Sequence, residues 1–206
     1  MKIDRLEPSK HKKGRFLVFL EDGSLLRVTE QELLSFGLRA GDELDEATIS
    51  ALKESASDSG AKAQAAALIG RRAMSRADLM KKLQDKGATE TESRYACEWL
   101  EAIGALNDAD FAALLVRHCA SRGYGPARCR QELVRHGIDR TLWDEAMDAS
   151  PDAQELISRY LFDRFRGQFP DEKEIKRASD ALLRRGFQWG DVKAALRQYT
   201  DSIEEE

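Results

Sequence analysis

Three histidines and three cysteines are the side chains of this chain most able to move protons or act as nucleophiles, and their spacing supports neither task. His11 stands in a run of lysines. His118 and His136 fall on separate predicted helices without an obvious carboxylate or thiol partner, and the adjacent His118 and Cys119 project in different directions from one helix. A general base needs a partner within hydrogen-bond reach, so these read as surface or half-buried histidines. Cys97, Cys119 and Cys129 are odd in number and contain no C-x-x-C pair, which suits buried or neutral thiols in a reducing compartment better than a disulfide framework or a zinc site. The turn Gly123-Tyr124-Gly125-Pro126 lacks the Lys and Ser/Thr of a phosphate-cradling loop and follows no strand. The expectation is a chain with no catalytic residue, no metal and no cofactor.

What remains is cationic and aromatic chemistry. Arg128, Gln131 and Arg135 share one face of a predicted helix, while Cys129 and Leu133 share another. Arg76, Lys81, Lys82 and Lys86 occupy an earlier helix of the same kind, with Arg71 and Arg72 just before it. Lys173, Lys176, Arg177, Arg184 and Arg185 occupy a later one. Arg117 and Arg122 lead into the turn that carries Tyr124, an aromatic placed either to stack on a base or partner side chain or to cover the core. A solvated helix face accounts for most charge runs taken singly. Recurrence on three helices points instead to a polyanion, or to a polymer with acidic patches. The formal net charge of -4 names no partner, because residues 1–60 lean acidic, residues 61–104 lean basic, and the chain ends in Glu204, Glu205 and Glu206.

The elements that position these residues follow from periodicity. Residues 16–20 and 25–29 are short β-rich runs around Asp22-Gly23, a hairpin signal, and a third strand near residues 3–7 would support them. Thr29 with Glu32 forms a capping-box pattern ahead of a short helix closed by Gly37, and a further helix is expected around residues 45–52. The small polar segment 55–62 reads as a linker. Beyond it the chain repeats. Gly87, Gly137 and Gly186 lie 50 and 49 residues apart, each preceded four residues earlier by Leu83, Leu133 or Leu182 and followed nine later by Ala96, Ala146 or Ala195.

The period predicts three tandem units of three helices after an N-terminal module at 1–60. Their spans are 63–104, 105–150 and 151–200, with an acidic tail at 201–206. The predicted helices cover 63–72, 75–86 and 89–103, then 107–122, 126–136 and 139–148, then 152–165, 171–185 and 188–199. Ser75 with Asp78, Thr89 with Glu92, and Asp171 with Glu174 cap three of these starts. The fold class is thus mainly α, an elongated array of three three-helix repeats with a small β-hairpin/α module. Such arrays offer extended surfaces to long targets. A signal core and a membrane-spanning apolar run are absent from the sequence, so a cytoplasmic monomer without membrane contact is expected.

Three stretches taken together resemble one family. RRAMSRADLMKKLQDKG (71–87), GALNDADFA (104–112) and RGYGPARCRQELVRHGID (122–139), in that order, are similar to the RecX family of bacterial recombination regulators, over residues 63–199. The N-terminal segment is similar to an extension found in some members. The resemblance implies a modulator of RecA, the recombinase that polymerises on single-stranded DNA: three repeats lying in the groove of the RecA filament, spanning neighbouring protomers and inhibiting ATP hydrolysis and strand exchange. Direct DNA contact is a further implication. Family catalytic residues do not exist to be carried over, so the expected partner-binding set is the basic and turn positions named above. The alternative is a protein that coats single- or double-stranded DNA without RecA.

Overall fold

The computed structural model describes residues 1–9 and 14–204, so His11 and the last two acidic residues lie outside the described residues. Strands β1 (Ile3–Pro8), β2 (Arg15–Leu20) and β3 (Leu25–Thr29) form an antiparallel sheet in that order, with Arg5 opposite Phe19 and Phe19 opposite Leu25. Alternation puts Ile3, Val18, Leu20, Leu26 and Val28 on the buried face, where they meet Leu38, Leu44, Ile49 and Leu52. Thr29 then caps α1 (Glu30–Ser35) in a reciprocal box with Glu32.

Helix α2 (Glu46–Ile69) corrects the reading of a linker at 55–62, which lies wholly inside it. The physical reason is that its small polar residues have partners. Ser55 Oγ and Ser59 Oγ donate to Glu32 Oε1 at 3.0 and 2.5 Å, and Ser57 donates to Glu92. Serines that read as flexible in isolation therefore tie α2 to α1 on one side and to the helix start capped by Thr89 on the other. The predicted helix at 63–72 is the last stretch of this longer one.

Helices α3 (Arg76–Gln84) and α4 (Glu90–Ala102) follow, and α5 (Asp108–Ser121), α6 (Pro126–Arg135) and α7 (Trp143–Met147) succeed them. The predicted helix at 139–148 is split, a 3-10 turn at Arg140–Leu142 preceding α7. The last three helices are α8 (Ala153–Phe165), α9 (Glu172–Arg184) and α10 (Trp189–Glu204). The fold is mostly helical with one small sheet. Among the described residues no helix is long and apolar enough to cross a membrane.

Two compact units emerge from the packing. One joins Met1–Arg72 with Leu79–Ala105, and the other joins Ala73–Asp78 with the chain from Leu106 onward. In the first, Ala61 and Ala65 of α2 are buried along with Leu83, Ala96, Cys97 and Leu100. The second has a core of Ala112, Val116, Leu133, Ile138 and Ala146, and another built from α8, α9 and α10 around Ile157, Leu161, Leu182 and Val192. Leu83, Leu133 and Leu182, the leucines of the repeat signature, are all fully buried.

Candidate functional site

The second helices of the repeats meet end to start, and this relation places the basic side chains. Helix α6 begins at Gly125 with no side-chain cap and no acidic residue in its first turn. Its donors are satisfied by the end of α9 instead: Gly125 N–H donates to Arg185 O at 2.8 Å and Ala127 N–H to Gly186 O at 3.1 Å. Orphan donors at a helix start thereby meet orphan carbonyls at a helix end. A Cβ on Gly125 would stand 2.6 Å from the Gly186 backbone, and one on Gly186, at φ +91°, would stand 2.5 Å from Arg128 N. Glycine at both positions is a packing requirement.

The preceding repeat uses the same joint with different chemistry. Ser75 Oγ donates to His136 O at 2.6 Å while accepting from Asp78 N–H at 3.1 Å, and a Cβ on Gly137 would lie 2.6 Å from Ala77 Cβ. Arg76 N–H is held by Asp108 Oδ1 at 2.7 Å. At Gly137 and Gly186 the glycine of the sequence period thus marks a joint, at which the residue before the glycine offers its carbonyl to the start of the second helix of the preceding repeat. Of the predicted capping boxes, those of Thr89 and Asp171 are reciprocal, whereas Asp78 does not reach back to Ser75.

Asp78 is taken by a histidine. The reading that His136 lacks a carboxylate partner is corrected by its Nδ1 lying 2.6 Å from Asp78 Oδ2, across 58 residues of sequence, with the edge of Phe111 against its ring. Both side chains are about a quarter exposed, and the pair sits at the joint. His118 is exposed. The three cysteines are buried. Burial and the neighbouring Cys119 push the Cys129 thiol up to about 12, and burial raises Cys119 as well. A thiol so displaced is protonated at neutral pH and a poor nucleophile. No group of three or more metal-ligating side chains occurs among the described residues.

The second joint also gathers the basic and aromatic residues. Arg122 and Arg128 flank Tyr124, their Cζ atoms 5.6 and 5.7 Å from its ring centroid, and Arg185 lies over Tyr160 at 4.7 Å. Tyr124 is half-buried, covering Cys129 with its backbone and offering its ring to the two guanidiniums. Neither Arg122 nor Arg185 has a carboxylate partner among the described residues. Arg128 and Arg135 do share their predicted face, yet both pair with Glu132, at 3.0 and 3.5 Å. Their charge is partly neutralised by a residue whose spacing from each was visible in the sequence. Tyr160 gave no such signal.

The remaining predicted positions are dispersed. Arg71 and Arg72 follow the end of α2, Lys82 lies on α3, Lys86 lies just beyond it, and Arg117 is exposed on α5. Lys176, Arg177 and Arg184 line the exposed side of α9. Only Arg122, Tyr124, Arg128 and Arg185 are drawn together at one joint.

With this geometry in hand, the relatives are informative. Residues 107–147 match the family model for the second three-helix domain of RecX, the segment that holds α5, α6 and α7. The chain is 38% identical over 140 residues to the regulatory protein RecX of Xanthomonas oryzae pv. oryzae (strain MAFF 311018), covering 65% of this chain and 85% of that protein. It is 35% identical over 144 residues to the regulatory protein RecX of Stenotrophomonas maltophilia, covering 67% and 86%. A crystal structure of a regulatory protein RecX superposes over all of this chain and 99% of its own with a TM-score of 0.70 at 26% identity. The RecX of Lactobacillus salivarius, at 18% identity, shares the fold over 71% of this chain and 97% of its own with a TM-score of 0.61. Matched over most of the length of such relatives and built on the same fold, this chain is a member of the RecX family of regulatory proteins.

Proposed function

We propose that this chain binds the RecA nucleoprotein filament and inhibits its ATP hydrolysis and recombinase activity. The observation that carries the reading is the joint between repeats two and three, where Arg122 and Arg185 are held over tyrosine rings without carboxylate partners. Guanidiniums fixed by stacking lose little further freedom on meeting an anionic partner, and their charge is not spent within the chain. Membership of a family of regulatory proteins supports a regulatory role, and the resemblance of residues 71–87, 104–112 and 122–139 is what implies RecA as the target. The contacting set extends from this joint to the basic positions of α9, and the basic positions of α3 are separate members of it. Titrating the protein into RecA and measuring DNA-dependent ATP hydrolysis tests this; progressive inhibition is expected, and unaltered hydrolysis at stoichiometric amounts overturns it.

Tyr124 between two guanidiniums also suits direct stacking on a nucleobase, which favours a second reading, DNA binding without RecA. It requires tight binding to bare DNA that weakens steeply with salt as phosphate counterions are released. Undetectable binding near physiological salt rejects it.

A further inference from the structure

Among the described residues the joint occurs twice and is left open once. Its receiving half is a basic residue followed by a positive-φ glycine: His136-Gly137 receives the start of α3, and Arg185-Gly186 receives the start of α6. Lys86-Gly87 is the third such pair, with Gly87 at φ +93°, yet a Cβ placed there would meet no atom within 4 Å. The two occupied glycines would meet atoms at 2.6 and 2.5 Å. Beside Gly87 runs a groove walled by Ala56, Gly60 and Ala61 of α2, with Lys86 and Glu92 at its rim. At the other end of the series, the start of α9 docks on nothing of this kind and is capped by its own Asp171–Glu174 box.

We propose that the Lys86-Gly87 groove receives the start of α9 from a second copy of this chain, extending the series of joints from one molecule to the next. Charge complementarity selects that occupant. The first turn of α9 carries Asp171, Glu172 and Glu174, opposite in sign to Lys86 and to Arg71, which lines the adjoining groove with Lys86. Neither cation has a carboxylate partner among the described residues. Lys173 stands where the occupied joints have Ala77 and Ala127, so this joint must accommodate a longer side chain. The small residues of α2 leave that space, and Glu92 supplies the matching charge. The contact is head-to-tail, and a heterologous contact that does not close builds an open chain of copies. The inference does not depend on the RecA reading and departs from the monomer expected from sequence.

Gly60 allows a direct test because it lies in mid-helix and a Cβ there meets nothing within 4 Å, so Gly60→Arg fills the groove without strain. Sedimentation velocity of the full chain at low salt, from about 1 µM to about 1 mM, should show the average sedimentation coefficient rising with no plateau at a dimer. Gly60→Arg should abolish the rise with helicity retained. Lys86→Glu and Glu172→Lys should each weaken association roughly tenfold, and the two combined in one chain should restore it. A monomer throughout the range overturns the proposal, as does a rise that is indifferent to Gly60→Arg or to the charge exchange.

Discussion

His136 Nδ1 and Asp78 Oδ2 stand 2.6 Å apart at the point where the start of α3 meets the end of α6. The same histidine gives its backbone carbonyl to Ser75 and its ring to the edge of Phe111, so one residue supplies three contacts to the joint. His136→Ala should lower the unfolding free energy by about 1–2 kcal/mol. A double-mutant cycle with Asp78→Ala, followed by denaturant unfolding, should return a coupling of about 0.5–1 kcal/mol; strict additivity would show the pair to be energetically idle.

Glycine at the second joint is expected to be intolerant. Gly125→Ala forces a methyl to within 2.6 Å of backbone, and Gly186→Ala adds left-handed strain to a 2.5 Å approach. Each should cost at least about 2 kcal/mol in thermal or denaturant unfolding. Gly87→Ala meets no atom and should cost only about 1–2 kcal/mol, for its φ of +93°. Gly60→Ala should stabilise by about 1 kcal/mol through helix propensity.

Glu32 should make the first unit acid-sensitive. Burial by itself would raise its pKa, but donation from Ser59, from Thr29 N–H and from Ser55 outweighs this and holds it below its ordinary value of 4.5. A depressed carboxylate stabilises the fold above its unfolded pKa, and that contribution is lost as pH falls through the lower, folded value. Glu32→Gln should remove this acid limb and cost about 1–3 kcal/mol at neutral pH, read from unfolding curves across the acidic range.

The arginines at the second joint should separate by their pairing. Arg122→Glu and Arg185→Glu remove charge that is not spent within the chain and should weaken inhibition of RecA ATP hydrolysis roughly tenfold or more, with helicity retained. Arg135→Glu should have a smaller effect, because that guanidinium is already paired with Glu132. Circular dichroism alongside the titrations distinguishes loss of contact from loss of fold.

The thiols should be silent in the native chain. Cys129, pushed up to about 12, and the raised Cys119 should resist alkylation at mildly alkaline pH until denaturant opens the bundle. Rapid native labelling at either site, followed by mass spectrometry, would contradict the burial that sets these values.

Periodicity carried most of the fold because it is local. Leu83, Leu133 and Leu182 announced buried faces, and the spacing of Gly87, Gly137 and Gly186 announced helix ends at one period. The segment 55–62 misled for the complementary reason: its serines look like a linker until Glu32 and Glu92 are brought to them by tertiary structure. Of the candidate site, the sequence carried residue types and not their arrangement. Pairing of Arg128 and Arg135 on Glu132 was implicit in helical spacing, whereas His136 with Asp78 and Arg185 over Tyr160 depend on chain crossings that no local pattern encodes.

The uncapped start of α6 also separates two meanings of a repeat. The segment 107–147 matches one three-helix domain, yet the carbonyls that complete its second helix belong to Arg185 and Gly186. Residues 126–135 are synthesised well before those carbonyls, so the first-turn donors of this helix are left to water until the last repeat has emerged. The matched domain is therefore shorter than the set of residues that completes its hydrogen bonds, and a fragment cut at the boundary between repeats two and three removes the acceptors of a helix start upstream of the cut.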